Sequence, residues 1–427
     1  MTQRLHFLKV CFALLLLFPG KPWPASAQTP PARFGEIYGL IKEKNFFKAR
    51  NIFNTDSAQL PTAYRCFVDA VLQNAFNKPA ASDRKINILL TGNYALPDSL
   101  LLKLYRIKED NAVKQYDYAS AYTTLSTVLT NFQPLLTPEE IKDMQNSLKI
   151  WTALRDQPRQ KVTIGGYNEL KMQKDKAGLK NLPVTTGNDT LPFIFDTGAN
   201  ISTITESTAK RMRMKIIPAA IEVSTITGNT VKAELAVCSK FRLGNIDIEN
   251  AVFLVLKDKE LSFPQIGYQI HGILGFPVIE ALREVQLTID DYLIIPLKET
   301  AMPGASNLAI DGLTPLIYID DMNFTFDTGA DHTILYAAFY RQHKARIDKS
   351  YKLTKVSFGG AGGHTVLPGF KIKHTFTING RSVPLTDISL LRDNISNETG
   401  YGNIGQDVIK QFGKMTINFD QMFIKLD

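Results

Sequence analysis

At 427 residues, 44% of them hydrophobic, the chain is too long for one ordinary core and has the apolar content for several. Its glycine, proline and charged fractions are ordinary, which excludes wholesale disorder, a collagen-like repeat and a coiled-coil rod. The formal charge of +8 is spread along the sequence without a basic run, so it describes a solvated surface and no nucleic-acid partner.

Residues 1–27 read as a signal peptide. Arg4 and Lys9 precede the apolar run Val10 to Phe18, and Ala25-Ser26-Ala27 forms a small-residue cleavage site before Gln28. Removing Arg4, Lys9 and Lys21 leaves a charge of about +5. Export to the periplasm or the extracellular space is expected. No transmembrane anchor is expected, because no later segment approaches the roughly 20 apolar residues of a spanning helix. Cys11 follows Lys9 and Val10 and lacks the small-residue context of a lipoprotein anchor. Cys66 and Cys238 read as two free thiols, with a disulfide between them as the alternative. No C-x-x-C or H-E-x-x-H pattern is present and the six histidines are scattered, so no metal and no cofactor are expected.

Residues 28–159 are expected to form an all-α domain of helical hairpins. Apolar residues recur at helical spacing, as in Ile37, Leu40, Ile41 and Phe67, Val68, Val71, Leu72. Thr137-Pro138-Glu139-Glu140 combines a capping threonine, a proline at the first helical position and a glutamate three after the cap, opening a helix with Ile141, Met144, Leu148 and Trp151 on one face. The segment Leu100 to Val113 followed by Tyr118 to Phe132 reads as one hairpin, with Ala119 and Ala121 near the crossing. The array loosely resembles tetratricopeptide repeats, without a strict 34-residue period.

From about Lys161 short β-branched and aromatic runs are punctuated by Gly, Asn and Pro, predicting an all-β region. The stretch Met302 to Asn307 divides it into lobes of similar length, residues 160–301 and 302–427. Phe193-Ile194-Phe195-Asp196-Thr197-Gly198-Ala199 recurs as Phe324-Thr325-Phe326-Asp327-Thr328-Gly329-Ala330, 131 residues later. Gly272-Ile273-Leu274-Gly275 likewise recurs as Gly402-Asn403-Ile404-Gly405, 130 residues later. Two ordered motifs kept in step identify a duplication.

These residues resemble the aspartic protease superfamily. The order D-T-G-A, hairpin, then Gly-apolar-apolar-Gly leading into a short helix is most similar to retropepsins, and Asp331-His332-Thr333-Ile334-Leu335 is particularly like the retroviral version. The resemblance covers about residues 160–427. It implies a bilobal β fold with one carboxylate of a catalytic pair on each lobe, Asp196 and Asp327. It further implies that Thr197 and Thr328 lock the two loops together across the lobe interface. Gly198, Ala199, Gly329 and Ala330 complete the loops. Asn403 stands where the second turn usually has an apolar residue, and Asn200-Ile201-Ser202 has no acidic residue after the first motif; both departures are expected to concern packing and to leave the carboxylates untouched.

Two carboxylates about 3 Å apart share one proton, so one serves as base toward a bound water while the other serves as acid toward the peptide carbonyl. Pepsin-like members often carry Ser or Thr at Ala199 and Ala330, where the hydroxyl stabilises the ionised form; its absence predicts an activity optimum less acidic than pepsin's. The glycine-bearing segments Thr227-Gly228-Asn229 and Gly359-Gly360-Ala361-Gly362-Gly363 are candidate flaps over an extended peptide, with ordinary loops as the alternative. His271, adjacent to the first Gly-Ile-Leu-Gly turn, reads as a surface or packing residue, with a substrate contact as the alternative. The expected activity is endopeptidase cleavage of a peptide or protein substrate. The alternative is a catalytically silent peptide-binding protein that recruits a protein partner through the helical domain. Sequons occur at Asn188, Asn200, Asn323, Asn394 and Asn397; a glycan on Asn200 would crowd the lobe interface, which favours a bacterial export route.

Overall fold

The structure is a computed structural model that describes residues 31–224, 230–302, 304–360, 363–394 and 400–427. The expected signal peptide, the flap residues Thr227, Gly228 and Asn229, and Gly362 lie outside the described residues. Among those described, no helix is long and apolar enough to cross a membrane, and no three His, Cys, Asp or Glu side chains gather into a metal-binding group.

Seven helices come first: α1 (Ala32–Lys42), α2 (Phe46–Asp56), α3 (Thr62–Ala75), α4 (Pro79–Thr91), α5 (Asp98–Lys114), α6 (Tyr118–Asn131) and α7 (Pro138–Leu154). Their apolar spacing becomes buried faces, as on α3, where Tyr64, Phe67, Val68, Val71, Leu72 and Ala75 point inward. The capping box at the start of α7 forms with both bonds: Glu140 N donates to Thr137 Oγ1 at 3.2 Å and Thr137 N donates to Glu140 Oε2 at 3.0 Å.

Three hairpins, α1–α2, α3–α4 and α5–α6, close with one and the same backbone turn. Each has a left-handed residue, Lys44 (φ 61°), Asn77 (φ 55°) or Tyr116 (φ 56°). In each, that residue's N–H bonds three residues back, to Ile41, Asn74 or Val113, at 3.0 to 3.1 Å. The next N–H bonds five back, to Leu40, Gln73 or Ala112, at 2.7 to 2.8 Å. The helical region is therefore a structural repeat although its side chains at the turn share nothing. The bonds are made by backbone atoms, and the conformation costs Lys or Tyr only a modest strain.

Strands begin at Lys161. In the first lobe the sheet order runs Lys180–Thr186, Asp189–Phe195, Gly272–Leu274, Ser202–Thr205, Ile246–Leu256, Thr230–Leu243, Lys215–Ser224. The second lobe repeats it with Thr314–Ile319, Met322–Phe326, Gly402–Ile404, Ile334–Leu335, Arg381–Leu391, Gly363–Ile378, Thr354–Gly360. In each lobe the strand entering the D-T-G-A loop lies parallel to the Gly-x-x-Gly strand. The duplication read from two motifs thus extends to the topology of whole sheets. A separate five-stranded sheet joins the lobes: Asn168–Lys171, Tyr292–Ile295 and Glu284–Thr288 from the first, Lys414–Asn418 and Phe423–Leu426 from the second.

The helical region lies against both lobes, and each of the three equivalent turns makes one of the contacts. Lys44 Nζ pairs with Asp311 of the second lobe at 2.7 Å. Asn77 Nδ2 donates to Glu280 Oε1 at 2.7 Å and to the Phe419 carbonyl at 3.2 Å, where the lobes join. Tyr116 OH donates to the Pro277 carbonyl of the first lobe at 2.8 Å. Phe47 stacks on Tyr318 with ring centroids 4.6 Å apart, and buried apolar residues of the helices and lobes form continuous clusters. Cys66 and Cys238 are free thiols.

Candidate active site

Each candidate aspartate leaves the end of a buried strand. Phe193, Phe195, Phe324 and Phe326 are all buried beneath the loops, where they anchor the strand ends rigidly. Asp196 N donates to the Leu274 carbonyl at 3.1 Å and Asp327 N to that of Ile404 at 3.0 Å, so the second motif of each lobe holds the first. The turn glycines are required there. A Cβ on Gly275 would lie 2.6 Å from the Ala199 carbonyl, and one on Gly405 would lie 2.9 Å from that of Ala330.

The lobes meet at the loops through four bonds related by pseudo-twofold symmetry. Thr197 Oγ1 donates to the Phe326 carbonyl and accepts from Thr328 N; Thr328 Oγ1 donates to the Phe195 carbonyl and accepts from Thr197 N, all at 3.0 Å. Both threonines are buried. The loop glycines pack on the opposite carboxylates: a Cβ on Gly198 would sit 2.6 Å from Asp327 Cγ, and one on Gly329 would collide with the Asp196 carboxyl. Asp196 and Asp327 are thereby brought together at the seam between the lobes.

The Asp196 carboxyl is electrostatically strained. Burial pushes the Asp196 carboxyl well above the ordinary carboxylate range; the Asp327 charge and a hydrogen bond with Asp327 push it further, against the opposing pull of the Gly198 and Ala199 N–H groups. Gly198 N donates to Asp196 Oδ1 at 2.8 Å. On the other side Gly329 N and Ala330 N donate to Asp327 Oδ1 at 2.8 and 3.1 Å. Asp327 has one more partner: Asn403 Nδ2 donates to its Oδ2 at 3.1 Å. This corrects the expectation that the departure at Asn403 leaves the carboxylates untouched. The cause is register, because Asn403 pairs with Thr325 on the strand that delivers Asp327.

The candidate flaps are divided. Gly359, Gly360 and Gly363 lie at the end of a long hairpin in which Gly359 faces His364 and Gly360 faces Gly363. The strands Lys215–Ser224 and Thr230–Leu243 form the counterpart hairpin. That hairpin is held from outside, for Asn146 of α7 exchanges two hydrogen bonds with the Glu222 backbone at 2.7 and 2.9 Å. His271 is half-buried, and its carbonyl accepts from Thr205 N at 3.2 Å. Asn323 is 1% exposed, which leaves no room for a glycan there.

Sequence reasoning missed several supporting residues. Ser202 Oγ and Thr333 Oγ1 accept from Gly275 N and Gly405 N at 3.0 and 3.2 Å. Both stand six residues after their aspartates, so aligning the two copies would have found them. Gln406 Nε2 donates to the Thr328 carbonyl at 2.7 Å and has Phe276 at the matching place in the first copy, so no repeat signal marks it.

Residues 182–278, which include Asp196 and the first Gly-x-x-Gly turn, match the family described as aspartyl protease. No curated protein matches the chain. Among solved structures it is similar to a retropepsin-like aspartic protease from Rickettsia conorii, at 18% identity over 32% of this chain and 91% of that one, with a TM-score of 0.21. The chain is a multidomain protein in which a helical region over residues 32–154 precedes a two-lobed β region, of which residues 182–278 match the aspartyl protease family.

Proposed function

We propose that this protein is an aspartic endopeptidase that hydrolyses peptide bonds through a water activated by Asp196 and Asp327. The observation that carries the reading is the convergence of the two carboxyls across the threonine lock, with Asp196 pushed well above the ordinary carboxylate range. Such a pair holds one proton over a broad pH range. The ionised member removes a proton from the bound water as it attacks the carbonyl carbon, the protonated member donates to the carbonyl oxygen, and the tetrahedral diol collapses with proton transfer to the leaving amine. No covalent enzyme intermediate forms. The two long hairpins act as flaps over an extended substrate, which pairs with their backbones. The protein works after export, in the periplasm or outside the cell, and its helical region, similar to tetratricopeptide arrays, recruits a protein partner.

The test is a peptide-library cleavage assay on wild type, Asp196→Asn and Asp327→Asn, with and without pepstatin. Cleavage by wild type alone, blocked by pepstatin, is expected. Equal cleavage by the asparagine variants would refute the mechanism, and binding without cleavage by wild type would favour the silent peptide-binding protein. Because Asp196 holds its proton into less acidic solution, the alkaline limb of the pH–rate profile should lie above the usual carboxylate range; a profile peaking near pH 2 would contradict this.

A further inference from the structure

The two lobes share the strand order around their D-T-G-A loops, and one place where they differ lies beside one of the aspartates. In the first lobe the strand entering the loop and the Gly-x-x-Gly strand face each other through Ile194 and Ile273. At the equivalent register of the second lobe stand Thr325 and Asn403. Both members of an apolar pair are polar here, and they bond to one another: Thr325 Oγ1 lies 2.6 Å from Asn403 Oδ1 and 3.2 Å from the Gly402 carbonyl. The Asn403 amide is thus held at its oxygen end, and its nitrogen end reaches Asp327 Oδ2 at 3.1 Å.

We infer that Asn403 is a positioning residue that places the negative charge of the pair on Asp327 and its proton on Asp196. The inference rests on reading the two aspartates as a proteolytic pair. Asp327 accepts three N–H donors, from Gly329, Ala330 and Asn403, whereas Asp196 has only the loop amides of Gly198 and Ala199, and the position equivalent to Asn403 is Ile273, which carries no side-chain donor. A carboxylate gains from each added donor, and a carboxylic acid gains much less. The opposite orientation of the amide would set its oxygen 3.1 Å from Asp327 Oδ2, an arrangement that only a protonated Asp327 tolerates. Asn403 also supplies the donor that Ala330, lacking a hydroxyl, does not. Asp327 then acts as the base toward water and Asp196 as the acid toward the carbonyl oxygen, so the lobes have fixed rather than interchangeable roles.

Among the described residues, Asp196 is the titratable group paired with Asp327; the strands beneath contribute Thr325, Phe326, Asn403 and Ile404, none of which titrates. The test follows the carboxyl ¹³C resonances of the full chain labelled at the aspartate carboxyl carbon, with Asp196→Asn and Asp327→Asn identifying the two signals. Asn403→Ile installs the residue of the first lobe. The double variant Thr325→Ile/Asn403→Ile restores the whole apolar pair and keeps the test readable if the single variant folds poorly. Loss of the donor should raise the acid-side titration of the pair by about one pH unit, roughly tenfold in proton affinity, with the Asp327 signal moving. An unchanged titration overturns the inference, and so does a fall, or a change confined to Asp196. The measurement needs no substrate, so a protein that cleaves nothing defeats the proteolytic reading without deciding this one.

Discussion

Replacing Thr328 by valine keeps the shape of the side chain and removes its hydroxyl, which in this structure donates to the Phe195 carbonyl and accepts from Thr197 N, both at 3.0 Å. Thr328 is 4% exposed and Thr197 is 0% exposed, so water cannot take over without opening the seam. A buried polar group left unpaired costs about 1–3 kcal/mol, and the variant leaves two, an N–H and a carbonyl, for a loss of roughly 3–4 kcal/mol. Urea denaturation of the full chain followed by near-UV circular dichroism should report that loss, with a fall in melting temperature of roughly 4–7 °C for a chain of this size. Thr328→Ser keeps the hydroxyl and should lose less than about 1 kcal/mol. Thr197→Val should behave like Thr328→Val, and the double variant should lose less than the sum, because the first substitution already admits water to the seam. A valine variant as stable as wild type, or a serine variant as unstable as the valine one, would show that the threonines merely fill space.

Gly198→Ala places a methyl 2.6 Å from Asp327 Cγ; it should separate the lobes and lower kcat/KM more than 100-fold, and activity within tenfold of wild type would contradict the packing. Burial pushes the His374 ring down to about 4, helped by Arg346 and His343, and its Nε2 has no hydrogen-bond partner. Its folded value lies below that of the unfolded chain, so its contribution is intact above about pH 6.5 and is lost as the pH falls toward 4. His374→Phe should therefore recover roughly 1–2 kcal/mol at pH 4.5 relative to pH 7, after allowance for solvent screening of a half-exposed ring; parallel stability curves for the two proteins would sink the idea. Asn77→Gly keeps the left-handed turn but leaves Glu280 without its donor; a loss of about 1–2 kcal/mol in urea is expected, and no loss would remove Asn77 from the domain contact.

Residues whose role is local were legible in the sequence. The capping box at Thr137 and Glu140, the alternating phenylalanines and the doubled D-T-G-A can be read because bonding partners or copies lie at fixed offsets. Asn403 could not be read in the same way. Its contact with Asp327 depends on which residue it faces across two parallel strands 78 positions apart, and a sequence alone gives no such register. It showed only as a break in the repeat, with its meaning hidden. The helical repeat escaped for another reason. Lys44, Asn77 and Tyr116 share a backbone state and no side-chain chemistry, so a comparison of residue types finds no period where a comparison of dihedrals finds one. The docking of helices on lobes was equally invisible, since its contacts join positions such as Asn77 and Phe419.

Those three turns make the helical array a ruler laid across the two lobes. Lys44 touches one lobe, Asn77 the junction and Tyr116 the other lobe, so the pitch of the array is tied to the angle between the lobes. One residue inserted in the middle of α5 would rotate everything after it by about 100° and lift Tyr116 from Pro277. The D-T-G loops would be unaltered in sequence, yet the seam that keeps their carboxyls together would lose an external support. Insertions and deletions should therefore be tolerated in the exposed bend between α4 and α5 and selected against inside the hairpins that bear the turns. The helices thus carry length constraints set by the spacing of the two lobes they cross.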